Sequence, residues 1–114
     1  MRKTKDLTLG PEAIQLQAKL FRSLSDPSRL SILQTLRAGE QSVSHLVEST
    51  GLSQPNVSAH LACLRDCALV VSRQEGRSVY YALADGRMEE VFLLAEDILA
   101  RTAERIFECT RYRS

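Results

Sequence analysis

Two short helical patterns joined by a glycine turn, between residues 42 and 67, constrain the fold of this chain more than any other feature. Ser42 can cap the first helix and Gly51 can end it, because glycine has no Cβ and accepts a left-handed turn. Ser53 can cap the second helix. Its apolar residues recur at intervals of four and three: Val57, Leu61 and Leu64. Two short helices connected in this way are typical of a helix-turn-helix, which we place over residues 42–67.

Directly after this motif come two segments that are rich in β-branched and aromatic residues. Residues 69–73 and 78–83 flank the polar segment 74–77, and this pattern predicts a β-hairpin. A helix-turn-helix followed by a hairpin is the winged-helix architecture. We therefore predict a mainly α-helical fold with one small β-hairpin, the wing, over residues 69–83.

Longer helical patterns stand on both sides of these elements. Residues 11–25 predict one helix, and Asp26 followed by Pro27 begins another that Gly39 ends. A last helix over 86–110 repeats apolar residues at alternating intervals of four and three: Met88, Phe92, Ala95, Leu99, Thr102, Ile106 and Cys109. A small domain has little surface to cover so long an apolar face, so we expect it to pack against the first helix and a second copy. The chain is expected to form a homodimer through its N- and C-terminal helices.

The length of 114 residues suits a single domain, with residues 1–10 as a flexible arm. No window approaches the roughly 18 apolar residues of a membrane span, and the first residues lack the apolar stretch of a signal peptide. We therefore expect a cytoplasmic protein with no membrane partner. Because the formal net charge is only +1, any affinity for nucleic acid must come from where the charges lie.

The second helix of the motif carries side chains of the kind that reads DNA bases. The N-terminal half of such a helix enters the major groove, and Asn or Gln can pair with adenine through two hydrogen bonds. Arginines of the wing can reach a phosphate or the minor groove. The candidate DNA-binding residues are Ser53, Gln54, Asn56, Ser58, His60, Arg73 and Arg77.

The distribution of charge agrees with this interpretation. Residues 53–77 hold three arginines and two acidic residues, whereas residues 86–110 hold three arginines and six acidic residues. The last helix is therefore expected to point away from DNA. A solvated helix face is the alternative explanation for the polar residues, and for His60 a structural hydrogen bond is an equal alternative.

Three cysteines are an odd number, and a reducing compartment disfavours disulfides. Cys63 and Cys67 are four residues apart, which places them on one side of the second motif helix, the side that also carries His60. Two thiolates in this arrangement can share a soft metal ion, with Cys109 as a third ligand if the end of the last helix comes close. Ordinary packing is the alternative, because cysteine is among the most often buried residue types.

From about residue 20 to residue 83 the sequence resembles the ArsR/SmtB family of metal-responsive repressors. The segments that carry the resemblance are LSDPSRLSIL at 24–33, LSQPNVSAHLACLR at 52–65 and EGRSVYYAL at 75–83. The resemblance implies a winged-helix homodimer that binds a palindromic operator in double-stranded DNA and is released by its inducer.

Members of this family hold metal ions in different elements. Residues 42–48 lack the cysteine cluster of the arsenic-type site, and residues 86–114 contain no histidine for the zinc-type site. The remaining match is to the cadmium- and lead-sensing members, whose reading helix carries the pattern found here at 60–67, HLACLRDC. By this resemblance Cys63 and Cys67 of one subunit and Cys109 of the other bind Cd(II) or Pb(II) as the inducer.

Other inducers and other classes of function are open alternatives. Arsenite also takes three thiolates, and an oxidant could act on the thiols, although a disulfide between Cys63 and Cys67 within one helix would be strained. A thiol enzyme is disfavoured, because the chain has two histidines, no Cys-x-x-Cys and no glycine-rich phosphate loop. A dimeric interaction module would explain the last helix but neither the wing nor the second motif helix. We therefore expect no enzyme and no organic cofactor.

Overall fold

The computed structural model describes residues 10–109, so most of the predicted flexible arm lies outside the described residues. The elements are α1 (Pro11–Ser25), α2 (Pro27–Leu36), β1 (Gln41–Ser42), α3 (Val43–Thr50), α4 (Gln54–Asp66), β2 (Val70–Glu75), β3 (Ser78–Leu83) and α5 (Arg87–Glu108). They fall into two compact units, one that ends at Ala84 and one that begins at Asp85. That the chain is a single domain stays a prediction.

Three helices begin at the caps that the sequence predicts. The Asp26 side chain accepts a hydrogen bond from a backbone N–H at the start of α2, 3.0 Å away. Ser42 does the same for α3 at 3.1 Å, and Ser53 for α4 at 3.3 Å. Each cap satisfies a donor that the first helical turn leaves unpaired, so these boundaries depend on contacts within four residues.

The core of the first unit is built around α2, which contacts α1, α3, α4 and β3. Its largest fully buried side chains are Ile32, Leu33, Leu36, Leu46, Val57, Leu61, Leu64 and Val70. The residues of α4 that the sequence assigned to an apolar stripe are all in this set. Burial of one face of α4 fixes which of its side chains remain in water.

The β-structure is larger than the predicted hairpin. It is a three-stranded antiparallel sheet in the order β1-β3-β2, in which Ser42 of β1 pairs with Tyr80 of β3. Strand β2 also extends to Glu75, which pairs with Ser78, so the loop has two residues instead of the predicted four. Gly76 sits first in this turn with φ +61°, a value that suits a tight hairpin with glycine at that position.

Helix α5 extends over almost the predicted range and keeps a wide apolar surface in water. Leu94, Ile98 and Phe107 are 64%, 59% and 93% exposed. Helix α1 likewise leaves Ile14 and Phe21 about as exposed, at 60% and 59%. Among the described helices, none has the length and apolarity that a bilayer crossing requires.

Candidate nucleic-acid interface and metal site

The α3–α4 pair has the geometry of a helix-turn-helix. Gly51 ends α3 in the left-handed conformation, φ +75°, and its N–H donates to the Val47 carbonyl at 3.0 Å. Two residues later Ser53 caps α4, so the connection is as short as the sequence predicts. Because the apolar stripe of α4 is buried, its opposite side faces solvent. Gln54, Asn56 and Ser58 are all exposed there.

A polar cleft of about 390 Å³ lies between the start of α3, the start of α4 and the wing. It is lined by Ser42, Val43, Ser44, Gln54, Ser58, Arg77, Ser78, Val79 and Tyr81. Three of the predicted DNA-binding residues, Gln54, Ser58 and Arg77, therefore border one concavity. The cleft presents hydroxyl, amide and guanidinium donors side by side, and such donors bind the phosphate oxygens of a nucleic-acid backbone.

The two wing arginines, which the sequence treats alike, lie in different surroundings. The Arg73 guanidinium donates to both carboxylate oxygens of Glu40, with Nε–Oε2 2.7 Å and Nη2–Oε1 2.8 Å. Its Nη1 donates to Glu75 at 2.5 Å, and its Cζ lies 4.9 Å from the centre of the Tyr80 ring. The hydrogen bond from Arg73 lowers the pKa of the Glu40 carboxyl, and the bond to Glu40 raises the pKa of Arg73.

Arg77, in contrast, is exposed at the tip of the wing and forms no ion pair with any residue of the described range 10–109. Its position in the hairpin turn lets it border the polar cleft while its charge stays available. Arg73 therefore has two carboxylate partners, whereas the positive charge of Arg77 is balanced by no ion pair within residues 10–109.

His60 is half-buried on α4 and lies near the N-terminal end of α2. The pKa of the Asp26 carboxyl is lowered mainly by the hydrogen bond from the Arg29 backbone, and His60 adds a smaller electrostatic contribution. This interaction with Asp26 is electrostatic and not a hydrogen bond, so both the structural hydrogen bond and the DNA contact of His60 stay untested.

Cys63 in α4 and Cys67, the residue that caps the C-terminal end of α4, lie one helical turn apart, as their spacing predicts. The Cys67 N–H donates to the Cys63 carbonyl at 3.0 Å, and both residues are exposed. Exposure of both thiols argues against the packing alternative, since a cysteine that fills a core would be buried. Cys67 borders a groove of about 230 Å³ whose other lining residues are Leu16, Lys19, Leu20, Ser23 and Leu69.

Cys109 is half-buried and follows the last turn of α5 in an extended conformation. It therefore ends the helix that the sequence extends to residue 110. Within the described part of one chain, no three His, Cys, Asp or Glu side chains converge closely enough to hold a metal ion. The exposed Cys63 and Cys67 pair nevertheless suits a soft cation in chemistry, because thiolates are the ligands such ions prefer.

Three residues of this surface were missed at the level of sequence. Glu40 lies 33 residues from Arg73, so no local pattern indicates their pairing. Glu75 had a usable signal: in a strand that continues past Arg73, residues two apart share a face. Ser44, at the start of α3, borders the cleft only because the wing folds back beside it.

Comparisons with known proteins agree on one group. Residues 26–72 match the family described as bacterial regulatory protein, arsR family. The chain is 42% identical over 94 residues to a probable mercury resistance operon repressor of Streptomyces lividans, covering 82% of this chain and 75% of the relative. It is 49% identical over 71 residues to the HTH-type transcriptional regulator CmtR of Mycobacterium tuberculosis, covering 62% of this chain and 60% of that protein.

A solved structure gives the same architecture. The homodimeric winged helix-turn-helix DNA-binding domain Mb0332 of Mycobacterium bovis, a possible ArsR-family transcriptional regulator, matches with a TM-score of 0.72 and 28% identity. The match covers 86% of this chain and 94% of that domain. The predicted winged-helix fold is thereby confirmed.

Proposed function

Because the chain belongs to the arsR family of bacterial regulatory proteins, we propose that it is a repressor that binds operator DNA as a homodimer and leaves it when a thiophilic metal ion binds. Members of this family are DNA-binding regulators and not enzymes, as the sequence leads one to expect. The observation that carries the proposal is the polar cleft in which the start of α4 meets the wing.

In this proposal the N-terminal half of α4 reads the major groove. Gln54 and Asn56 present amide groups to base edges, while Ser53 and Ser58 add hydroxyl contacts. Arg77 binds a phosphate beside the groove. Support comes from the exposure of Gln54, Asn56 and Ser58 and from the buried opposite face of α4, which fixes their direction.

The homodimer is supported by the apolar side chains that α1 and α5 leave in water. A monomer would expose Ile14, Phe21, Leu94 and Ile98, each more than half accessible, at a cost that a second copy removes. The related Mb0332 domain is homodimeric. Two reading helices related by a twofold axis would enter successive major grooves about 34 to 36 Å apart.

We infer that the inducer is Cd(II) or Pb(II), held by Cys63 and Cys67 of one subunit and Cys109 of the other. Three thiolates suit these soft ions better than Zn(II), which usually takes four ligands in a tetrahedron. The similarity to CmtR and the exposed α4 thiols support this assignment. A coupling of about 1 to 3 kcal/mol between metal and DNA would weaken operator binding roughly 5-fold to 150-fold.

Mercury is a second candidate inducer. The mercury resistance repressor aligns with 82% of this chain, against 62% for CmtR. Hg(II) is also a soft ion that prefers thiolate ligands. The same cysteines would serve it, so the two candidates differ in the ion and not in the site.

One titration tests the proposal. The metal-free protein selects its operator from a random DNA pool, and its affinity for that duplex is then measured with Cd(II), Pb(II), Hg(II), Zn(II) and arsenite. We expect a loss of roughly 5-fold to 150-fold with Cd(II) and Pb(II) and a smaller loss with Zn(II). A larger loss of operator affinity with Hg(II) would identify Hg(II), and not Cd(II) or Pb(II), as the inducer. A larger loss with arsenite would favour the metalloid alternative.

Cysteine variants locate the site in the same assay. Cys63→Ser and Cys67→Ser should each abolish the response and the ultraviolet sulfur-to-metal charge-transfer band while leaving the metal-free affinity for DNA unchanged. Cys109→Ser should reduce both signals. Operator affinity that no thiophilic ion alters would refute the metal-sensing part of the proposal.

A further inference from the structure

We propose that Arg73 positions the wing and makes no contact with DNA, whereas Arg77 is the wing arginine that meets the phosphate backbone. This inference rests on the proposed DNA-binding function and separates two residues that the sequence places together. It follows from the partners of the Arg73 guanidinium.

The bond between Arg73 and Glu40 crosses the sheet. In the register of the strands Arg73 of β2 lies opposite Tyr80 of β3, and Tyr80 lies opposite Ser42 of β1. The Arg73 side chain passes over the Tyr80 ring, with 4.9 Å from its Cζ to the ring centre, and reaches Glu40 two residues before Ser42. One side chain therefore ties the outer wing strand to the segment that enters α3.

The geometry of this tie is rigid for a surface contact. Both Glu40 oxygens accept from Arg73, at 2.7 and 2.8 Å, in the two-pronged arrangement that fixes the plane of a guanidinium. The third bond, from Nη1 to Glu75, holds the same group along its own strand. Of the five N–H donors of the guanidinium, three are engaged, and its Cζ lies over the Tyr80 ring.

The local charge disfavours a phosphate at this place. Arg73 contributes one positive charge, and Glu40 and Glu75 contribute two negative charges, so the group as a whole is anionic. A phosphate at Arg73 would have to share the guanidinium with two carboxylates that already bind it, and those carboxylates would repel the phosphate. Arg77, in contrast, forms no ion pair with any carboxylate of residues 10–109.

The wing tip depends on this arrangement. Arg77 and Gly76 form the turn that joins β2 to β3, so a tilt of the two strands moves Arg77 relative to the cleft at the start of α4. Among the described strands, β2 lies at an edge of the sheet and pairs with β3 alone. The Arg73–Glu40 ion pair adds a second contact, from β2 to the segment before β1 on the far side of the sheet.

The test compares variants of the metal-free protein by fluorescence anisotropy with an operator duplex, as a function of salt. Each phosphate contact contributes about 0.9 to the slope of log affinity against log salt, so a contact made by both subunits of a homodimer contributes about 2. Arg77→Met should lower the slope by about 2. Arg73→Met should weaken binding roughly threefold to tenfold with an unchanged slope.

Glu40→Gln separates the two roles by the direction of its effect. If Arg73 positions the wing, Glu40→Gln weakens binding as Arg73→Met does, and the double variant is no weaker than either single one. If Arg73 is instead a phosphate contact that Glu40 competes for, Glu40→Gln strengthens binding, and Arg73→Met lowers the slope. Either of these last two results would overturn the inference.

Two further variants control for charge and folding. Arg73→Lys keeps the charge but not the two-pronged geometry, so it should behave like Arg73→Met; full affinity would overturn the positioning role. The exchanged pair Glu40→Arg with Arg73→Glu, made together with Glu75→Gln so that two carboxylates do not face each other on β2, should restore affinity; affinity as low as that of Arg73→Met would contradict the positioning role. If the wild-type protein binds no DNA even at low salt, the proposed function itself fails, a result distinct from a changed slope in Arg73→Met.

Discussion

Ala68 lies just after the C-terminal end of α4 in a conformation that an L-residue rarely adopts. Its φ is +62°, in the left-handed region. Two backbone hydrogen bonds of 2.9 Å stabilise the turn: the Ala68 N–H donates to the Arg65 carbonyl, and the Leu69 N–H donates to the Leu64 carbonyl. This is the helix-ending motif in which glycine is the usual residue. We predict that Ala68→Gly stabilises the protein.

The magnitude follows from two opposed effects. A left-handed conformation costs an L-residue about 1 to 2 kcal/mol, which glycine avoids. Glycine in turn loses about 0.5 to 1 kcal/mol through the greater freedom of the unfolded chain. The net gain expected for Ala68→Gly is about 0.5 to 1 kcal/mol in the free energy of unfolding.

Gly51 offers the matched control, because it ends α3 at φ +75° and a Cβ there would meet no atom within 4 Å. Gly51→Ala should therefore lose about what Ala68→Gly gains, through backbone strain alone. Because the two sites share no partner, the double variant should return to wild-type stability within about 0.5 kcal/mol.

Urea unfolding followed by circular dichroism measures these changes, at one protein concentration because a homodimer unfolds in a concentration-dependent way. With a slope of about 1 to 3 kcal/mol per molar urea, the midpoints should move in opposite directions by a few tenths of a molar. If Gly51→Ala destabilises while Ala68→Gly has no effect or destabilises too, the left-handed strain assigned to Ala68 is refuted.

Three further outcomes follow from the structure. Asp26→Ala removes the α2 cap and should cost about 1 kcal/mol in the same urea assay. The hydrogen bond from Arg87 lowers the pKa of Asp85 from 3.8 to about 2. The stabilisation that this bond gives to the start of α5 should therefore be present at neutral pH and be lost as the pH falls from about 4 to about 2. The Asp85 carboxyl resonance in NMR measures the titration midpoint, which would stay near 3.8 without the bond. Leu94→Glu should yield monomers in sedimentation, whereas Val71→Glu, at a residue 52% exposed on the wing, should leave the oligomer intact.

The features that the sequence predicts well are those decided within a few residues. The caps Asp26, Ser42 and Ser53 each bind an N–H three residues ahead, and Gly51 ends α3 by its own conformational freedom. The stripe of α4 follows from helical periodicity, and its burial then fixes the exposed face. The exposed polar face of α4 could therefore be assigned before any tertiary contact was known.

The features that the sequence does not predict depend on distant partners. Strand β1 has two residues, too few for a periodic pattern, and exists only because β3 lies beside it. The role of Arg73 depends on Glu40, which the fold brings close across the sheet. A residue type alone indicates what a side chain can bind, and its neighbours decide whether that capacity is already used.

The two proposed sites on α4 occupy opposite ends of one helix. The proposed reading residues run from Gln54 to His60, and the thiols lie at Cys63 and, just past the end of α4, at Cys67, so at 1.5 Å per residue about 14 Å of helix separates Gln54 from Cys63. In the proposed mechanism a metal ion at the thiols would lie beyond Gln54 and Asn56, so release would not require competition for these two side chains; His60, three residues before Cys63, is the proposed DNA contact nearest to the metal along the chain. Because the hydrogen-bonded helix moves as one body, a small displacement of its C-terminal end changes how its N-terminal end enters the groove. In a homodimer both helices must fit half-sites at a fixed spacing, so such a displacement weakens both contacts at once.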